Sequence, residues 1–110
     1  MKQEYLEIIF DRDDWVCQYP GCNKRATEVG HFISQYKGGR AYMKREFNYL
    51  FDIQLSKDEV DYLINHPLNG ASVCNHKPHN DHFAVSIAGH PIEARKIVEA
   101  LFREEYAYEN

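Results

Sequence analysis

The sequence is poor in the residues that would make it a disulfide scaffold or a membrane protein. It has three cysteines, four prolines and one tryptophan. No stretch approaches the ~20 consecutive apolar residues needed to cross a bilayer. Met1 to Phe10 carries Glu4 and Glu7 and contains no apolar signal-peptide core, so the expected setting is the cytoplasm. An odd number of cysteines in a reducing compartment argues against disulfide stapling; cysteines placed near histidines argue for metal. Excess positive charge is also missing, since the net charge is −4. That total speaks against a protein that coats nucleic acid with its whole surface.

The charge is unevenly spread. Lys24, Arg25, Lys37, Arg40, Lys44 and Arg45 fall in one segment with a single acid, Glu28, which makes residues 24–45 +5 and the remainder −9. A basic stripe on an acidic body can bind phosphates locally, and its bland alternative is an ordinary solvated surface. With 110 residues, 44% hydrophobic and 27% charged, the chain fits one compact domain over 1–110. A chain this short buries limited apolar surface, so a metal staple would help it fold.

Residues 3–10 are apolar and read as a short helix or strand, followed by a turn from Asp11 to Asp14. Residues 27–34 (TEVGHFIS) have the composition of a strand. Lys37-Gly-Gly-Arg40 looks like a break, and residues 41–55 carry no decisive periodicity. Ser56-Lys-Asp-Glu59 is a capping box opening a helix over about 57–65, which His66-Pro67 terminates. Asn69-Gly70 signals a turn before a short strand over Ala71–Cys74. Pro78 is placed to start a helix carrying His82, Phe83 and Val85. Pro91 opens a helix over about 91–106, with Ile92, Ile97, Val98, Leu101 and Phe102 as its core stripe.

Cys17 and Cys22 flank Pro20-Gly21, a turn that brings two thiols together. A structural zinc site takes four tetrahedral ligands, usually Cys and His, so Cys74 must begin the second pair. Its partner is His76 or His79. His79 repeats the four-residue spacing of the first pair and is preferred. The alternative is three cysteines buried as small hydrophobes, which their polar, turn-rich surroundings disfavour.

His31 stands in the strand just before most of the basic stripe, and a histidine suits general-base work near neutral pH. Alone it would more often be structural. Val29-Gly-His-Phe-Ile-Ser34, then Asn69, Cys74 five residues on, and His79-Asn80 together resemble the HNH (ββα-metal, His-Me finger) endonucleases. The string is most similar to phage NinG-like recombination proteins, and the order of Cys, His and Asn is similar to phage recombination endonuclease VII. The resemblance covers about residues 15–85.

It implies an α+β fold: a small zinc-stapled ββα-metal core with additional helices, including the C-terminal one. It implies a metal-dependent endonuclease that hydrolyses DNA phosphodiester bonds, with structural Zn2+ and catalytic Mg2+ or Mn2+. His31 would be the general base, Asn69 would orient the loop and His31, and Asn80 would ligate the catalytic metal, with His82 an alternative ligand. Lys37, Arg40, Lys44 and Arg45 would contact phosphates, and Tyr36 and Tyr42 would be available to stack on bases. The chain departs from the family at Gly30, where many members carry a metal-ligating Asp or His. A non-catalytic zinc module that binds DNA or a protein is the competing reading. An acidic inhibitor that imitates DNA is a more distant one.

Overall fold

The computed structural model describes residues 3–76 and 91–107. The helix expected from Pro78, together with His79, Asn80 and His82, lies outside the described residues. In chain order the elements are helix α1 (Gln3–Arg12), strand β1 (Glu28–His31), helices α2 (Lys37–Phe51) and α3 (Lys57–Ile64), a 3-10 turn (Pro67–Asn69), strand β2 (Gly70–Val73) and helix α4 (Pro91–Glu105). The two strands form an antiparallel pair, so the chain is α+β as expected. No helix among the described residues is long and apolar enough to cross a membrane.

The N-terminal segment resolves to a helix because Tyr5, Ile9 and Phe10 fall on one face and are buried, while Ile8 stays exposed. Its last residue, Arg12, explains where it docks. The Arg12 guanidinium donates to the carbonyls of Pro67 (2.8 Å) and Gly70 (2.7 Å). Asp13 follows, accepting from Arg12 and from the Ser72 N–H at 2.8 Å. Burial alone would raise the Asp13 pKa, but these donors outweigh it and hold the carboxyl below its usual value. The expected turn at Asp11–Asp14 is therefore shorter, at Asp13–Trp15, with Asp14 and Trp15 at positive φ.

The segment over 37–40 is the main correction to the sequence reading. Lys37-Gly-Gly-Arg40 does not break the chain; it is the first turn of the 15-residue α2, which also absorbs most of the unsettled 41–55 segment. Helical periodicity appears once the buried positions Tyr42, Met43, Glu46 and Phe47 are seen together. Glycine is needed at one of the two positions. A Cβ at Gly39 would lie 1.9 Å from the Ser34 carbonyl oxygen, whereas a Cβ at Gly38 meets nothing within 4 Å. Gly39→Ala should therefore cost about 1–3 kcal/mol through forced displacement. Gly38→Ala should be neutral or stabilising by up to ~1 kcal/mol, from helix propensity. Paired urea denaturation curves check this, and equal effects at the two sites would contradict it.

Helix α2 ends where Asp52 takes a left-handed conformation (φ 55°) and the Ile53 N–H reaches back to the Phe47 carbonyl. Helix α3 begins at the expected capping box: the Ser56 hydroxyl accepts from the Glu59 N–H at 3.1 Å, and the Glu59 carboxylate accepts from the Ser56 N–H at 2.9 Å. Helices α2, α3 and α4 enclose the larger core, which includes Met43, Phe47, Leu63, Ile64, Val98 and Leu101. Ile33, just beyond β1, plugs into that core. In α4 the buried line is Ala94, Val98 and Leu101, with Ile97 and Phe102 at its edges. Ile92, expected in the stripe, is 70% exposed, because it stands about 200° around the helix from Ala94.

Candidate functional site

Strand register places the centre of the site. Glu28 pairs with Val73, Val29 with Ser72, Gly30 with Ala71 and His31 with Gly70. His31 is thus the last residue of β1, opposite the first residue of β2. Asn69-Gly70 does not form a tight hairpin turn. Asn69 ends the 3-10 turn and Gly70 starts the strand with extended backbone (φ −138°), because the largely helical segment over 32–69 separates the two strands. Helix α1 lies so close to Gly70 that a Cβ there would come within 2.6 Å of the Tyr5 hydroxyl and 2.7 Å of Ile9.

Asn69 is fully buried and satisfied by main chain. Its Oδ1 accepts from the Ile33 N–H at 2.8 Å. Its Nδ2 donates to the carbonyls of Ile33 (3.0 Å) and Ile64 (2.9 Å). Its carbonyl accepts from the Phe32 N–H at 3.0 Å. Asn69 therefore clamps the chain immediately after His31 to the end of α3. It makes no direct hydrogen bond to the His31 ring, the contact the resemblance implied.

The partner of the ring is Asn65, whose Oδ1 lies 3.2 Å from His31 Nε2. Sequence reading missed it, since 34 residues separate the two and Asn65 carries no signal beyond standing at a helix end. Tyr5 covers the ring, with centroids 6.3 Å apart and planes inclined by 23°. The Tyr5 hydroxyl is buried without a hydrogen-bond partner among the described residues, and burial pushes its pKa up to about 12. His31 is 8% exposed. Burial pulls its pKa below 6.5, against the Asn65 hydrogen bond that raises it, and the Arg40 charge adds to the lowering. Burial thus favours the neutral ring. Tyr5 and Asn65 also line a groove of about 800 Å³, together with Glu4, Ile8, Tyr62 and His66; His31 itself does not line it.

The sulfurs of Cys17, Cys22 and Cys74 lie within 4.8 Å of one another, a group that can hold a metal ion. The knuckle is built by the expected turn: Gly21 takes φ 83° and the Cys22 N–H donates to the Tyr19 carbonyl at 2.9 Å. The Cys17 N–H donates to the Lys24 carbonyl at 2.9 Å, and Val16 bridges to Arg25. Cys74 comes from the residue after β2, so the strand pair itself delivers the third thiol. Among the described residues this is the only such group of three or more ligand-type side chains, and His76 is exposed outside it.

The basic stripe is divided by the fold. Arg40 ion-pairs with Asp61 and donates to the Gln35 carbonyl at 2.7 Å, which ties α2 to α3. Lys37, Lys44 and Arg45 are exposed on α2. Tyr36 is 73% exposed at the start of that helix, whereas Tyr42, expected to be available for stacking, is buried in the core under the Arg45 guanidinium. Glu28, as strand alternation required, is exposed away from His31. Comparison with family models, curated proteins and solved structures gave no match to this chain.

Proposed function

We propose that this chain is a metal-dependent endonuclease of the HNH type, with a structural zinc knuckle, acting on DNA phosphodiester bonds. The observation that carries the reading is one arrangement. A buried neutral histidine ends β1 opposite the start of β2, Asn69 clamps the chain behind it, and three thiols bracket the strand pair. This arrangement and the sequence resemblance over residues 15–85 are what support the reading.

The thiol group fits zinc. With Zn–S bonds of about 2.3 Å, tetrahedral thiolates stand ~3.8 Å apart, a spacing compatible with three sulfurs that all lie within 4.8 Å of one another. His79 is the proposed fourth ligand, since His76 stands outside the group. Asn80 and His82 are the proposed ligands of the catalytic ion. When bound, a Mg2+-type ion would supply charge to the scissile phosphate and the leaving oxygen.

The chain's own residues account for the rest. Neutral His31 takes a proton from water as the water oxygen attacks phosphorus; the bond to the leaving oxygen breaks, and that oxygen takes a proton from solvent. Lys37, Lys44 and Arg45 supply phosphate contacts that position the backbone without reading sequence. Arg40 serves in the α2–α3 tie.

The test is conversion of supercoiled plasmid to nicked or linear form with added Mg2+ or Mn2+. His31→Ala should reduce the rate by about 10²–10⁴-fold, the usual contribution of a general base, while keeping its zinc and its melting temperature within a few degrees. Binding of plasmid by wild type without nicking under either ion would overturn the enzyme reading. That outcome would favour a non-catalytic zinc module, for which the absence of a ligand side chain at Gly30 is the specific support.

A further inference from the structure

We infer that Asn65 is a positioning residue for His31: it keeps the proton of the neutral ring on Nε2, so that Nδ1 presents the lone pair that accepts a proton from water. This inference rests on the nuclease reading for its purpose, though not for its geometry.

The orientation of the Asn65 amide decides the matter. Its Nδ2 donates to the Asp61 carbonyl at 3.1 Å. Rotating the amide by half a turn would set two acceptors, Oδ1 and the Asp61 carbonyl, against each other. The oxygen therefore faces His31, and an amide oxygen only accepts. The atom opposite it, Nε2 at 3.2 Å, must carry the hydrogen. In a neutral imidazole the other nitrogen then holds the lone pair.

Asn65 is itself held firmly. It follows the last residue of α3, and its own N–H donates to the Asp61 carbonyl at 3.2 Å. Asp61 is paired with Arg40 of α2. The 3-10 turn that follows is anchored by His66, whose Nδ1 accepts from the Leu68 N–H and whose Nε2 lies 3.3 Å from Glu105 of α4. The ring is confined on its face by Tyr5. Among the described residues, the groups acting on His31 are Tyr5 from α1, Arg40 from α2 and Asn65 at the end of α3. Tyr5 stays neutral over the working pH range, since its pKa is about 12. Among the described residues no carboxylate is hydrogen-bonded to the ring in competition with Asn65 for the Nε2 proton.

The Nε2–H bond also serves after proton transfer. Once Nδ1 is protonated, the imidazolium keeps the same bond to a neutral amide, which cannot remove the proton. The ring is thereby stopped from turning Nδ1 away from the water.

Long-range proton–nitrogen NMR on zinc-loaded protein at pH 8 reads the tautomer directly, without any cleavage. Wild type should show Nε2 protonated and Nδ1 unprotonated. Asn65→Leu should shift His31 toward a mixture of tautomers and lower kcat by about 10–100-fold with KM little changed. Asn65→Asp keeps the shape and adds a negative charge; it should raise the His31 titration midpoint by about 1 pH unit or more. The acidic limb of the cleavage profile should move with it. A wild-type ring protonated on Nδ1, or a tautomer and midpoint unmoved in both variants, would overturn the inference. If wild-type protein nicks no plasmid, the nuclease reading fails, and the NMR result still decides whether Asn65 sets the tautomer.

Discussion

Cys22→Ser should lower the stability of the zinc-loaded protein by about 3 kcal/mol or more, and its melting temperature by on the order of 10–20 °C. The reason is the uneven distribution of core. The helical end holds a continuous cluster from α2, α3 and α4. Among the described residues the knuckle end holds Cys17, Val73 and Cys74, with Tyr19 and Cys22 packed against them. So small a cluster cannot offset the backbone entropy of ordering the loop over 16–27 and the strand pair. On the proposed zinc reading, a metal cross-link between the loop and the residue after β2 would supply the difference, because binding energy of a structural zinc is folding energy. The loss should therefore be local before it is global. Amide protection should fall first at Cys17, Ala26 and Thr27, whose N–H groups bond within the knuckle or to Val73. Metal analysis, thermal melting and hydrogen exchange on the same preparation check the claim. Wild-type protein that is metal-free yet melts where the zinc-loaded form does would refute it.

Asn69→Ala should be nearly as damaging, by about 3–5 kcal/mol, through a different route. The side chain satisfies three buried main-chain groups at once: the Ile33 N–H, the Ile33 carbonyl and the Ile64 carbonyl. Each group left without a partner costs roughly 1–3 kcal/mol, and truncation leaves all three. Asn69→Asp tests the mechanism more sharply. It keeps an acceptor for the Ile33 N–H but loses both donors and brings a charge toward two carbonyls, so it should be at least as destabilising as alanine. Both variants should retain zinc when folded, since Asn69 is distinct from the three thiol residues. Urea denaturation measures the loss. A cost below about 1 kcal/mol for alanine would show that the clamp contributes little.

These two residues sit on either side of the boundary between what is legible in the sequence and what is not. Local chemistry could be read directly. Pro20-Gly21 between two cysteines is a turn in any context, and it is one here. The capping box at Ser56 and the end of α3 before His66-Pro67 depend only on neighbours in the chain, and both formed where expected. Coarse class followed as well, helices with a short strand pair, although the first strand, expected over 27–34, runs only over Glu28–His31.

Local signals misled where a long-range contact outweighed them. Two glycines in succession suggested a break, yet Gly39 is glycine because the Ser34 carbonyl occupies the space a Cβ would need. Asn69-Gly70 suggested a tight turn. Instead Asn69 spends its amide on backbone 36 residues away, and Gly70 makes room for Tyr5 and Ile9. Arg40 read as a phosphate contact from its company of cations, and the fold pairs it with Asp61.

The sequence by itself therefore determined the ingredients: three thiols with the spacing of a metal site, a histidine in a strand, and helices marked by caps and prolines. Only the tertiary structure decided which partners those ingredients meet. Asn65 reaches the His31 ring across 34 residues, and Cys74 reaches Cys17 and Cys22 through the register of two strands. Turns and caps are set by interactions within a few residues, which sequence spells out. The partner of a buried ring or thiol is set by how helices and strands pack, and no spacing along the chain encodes that.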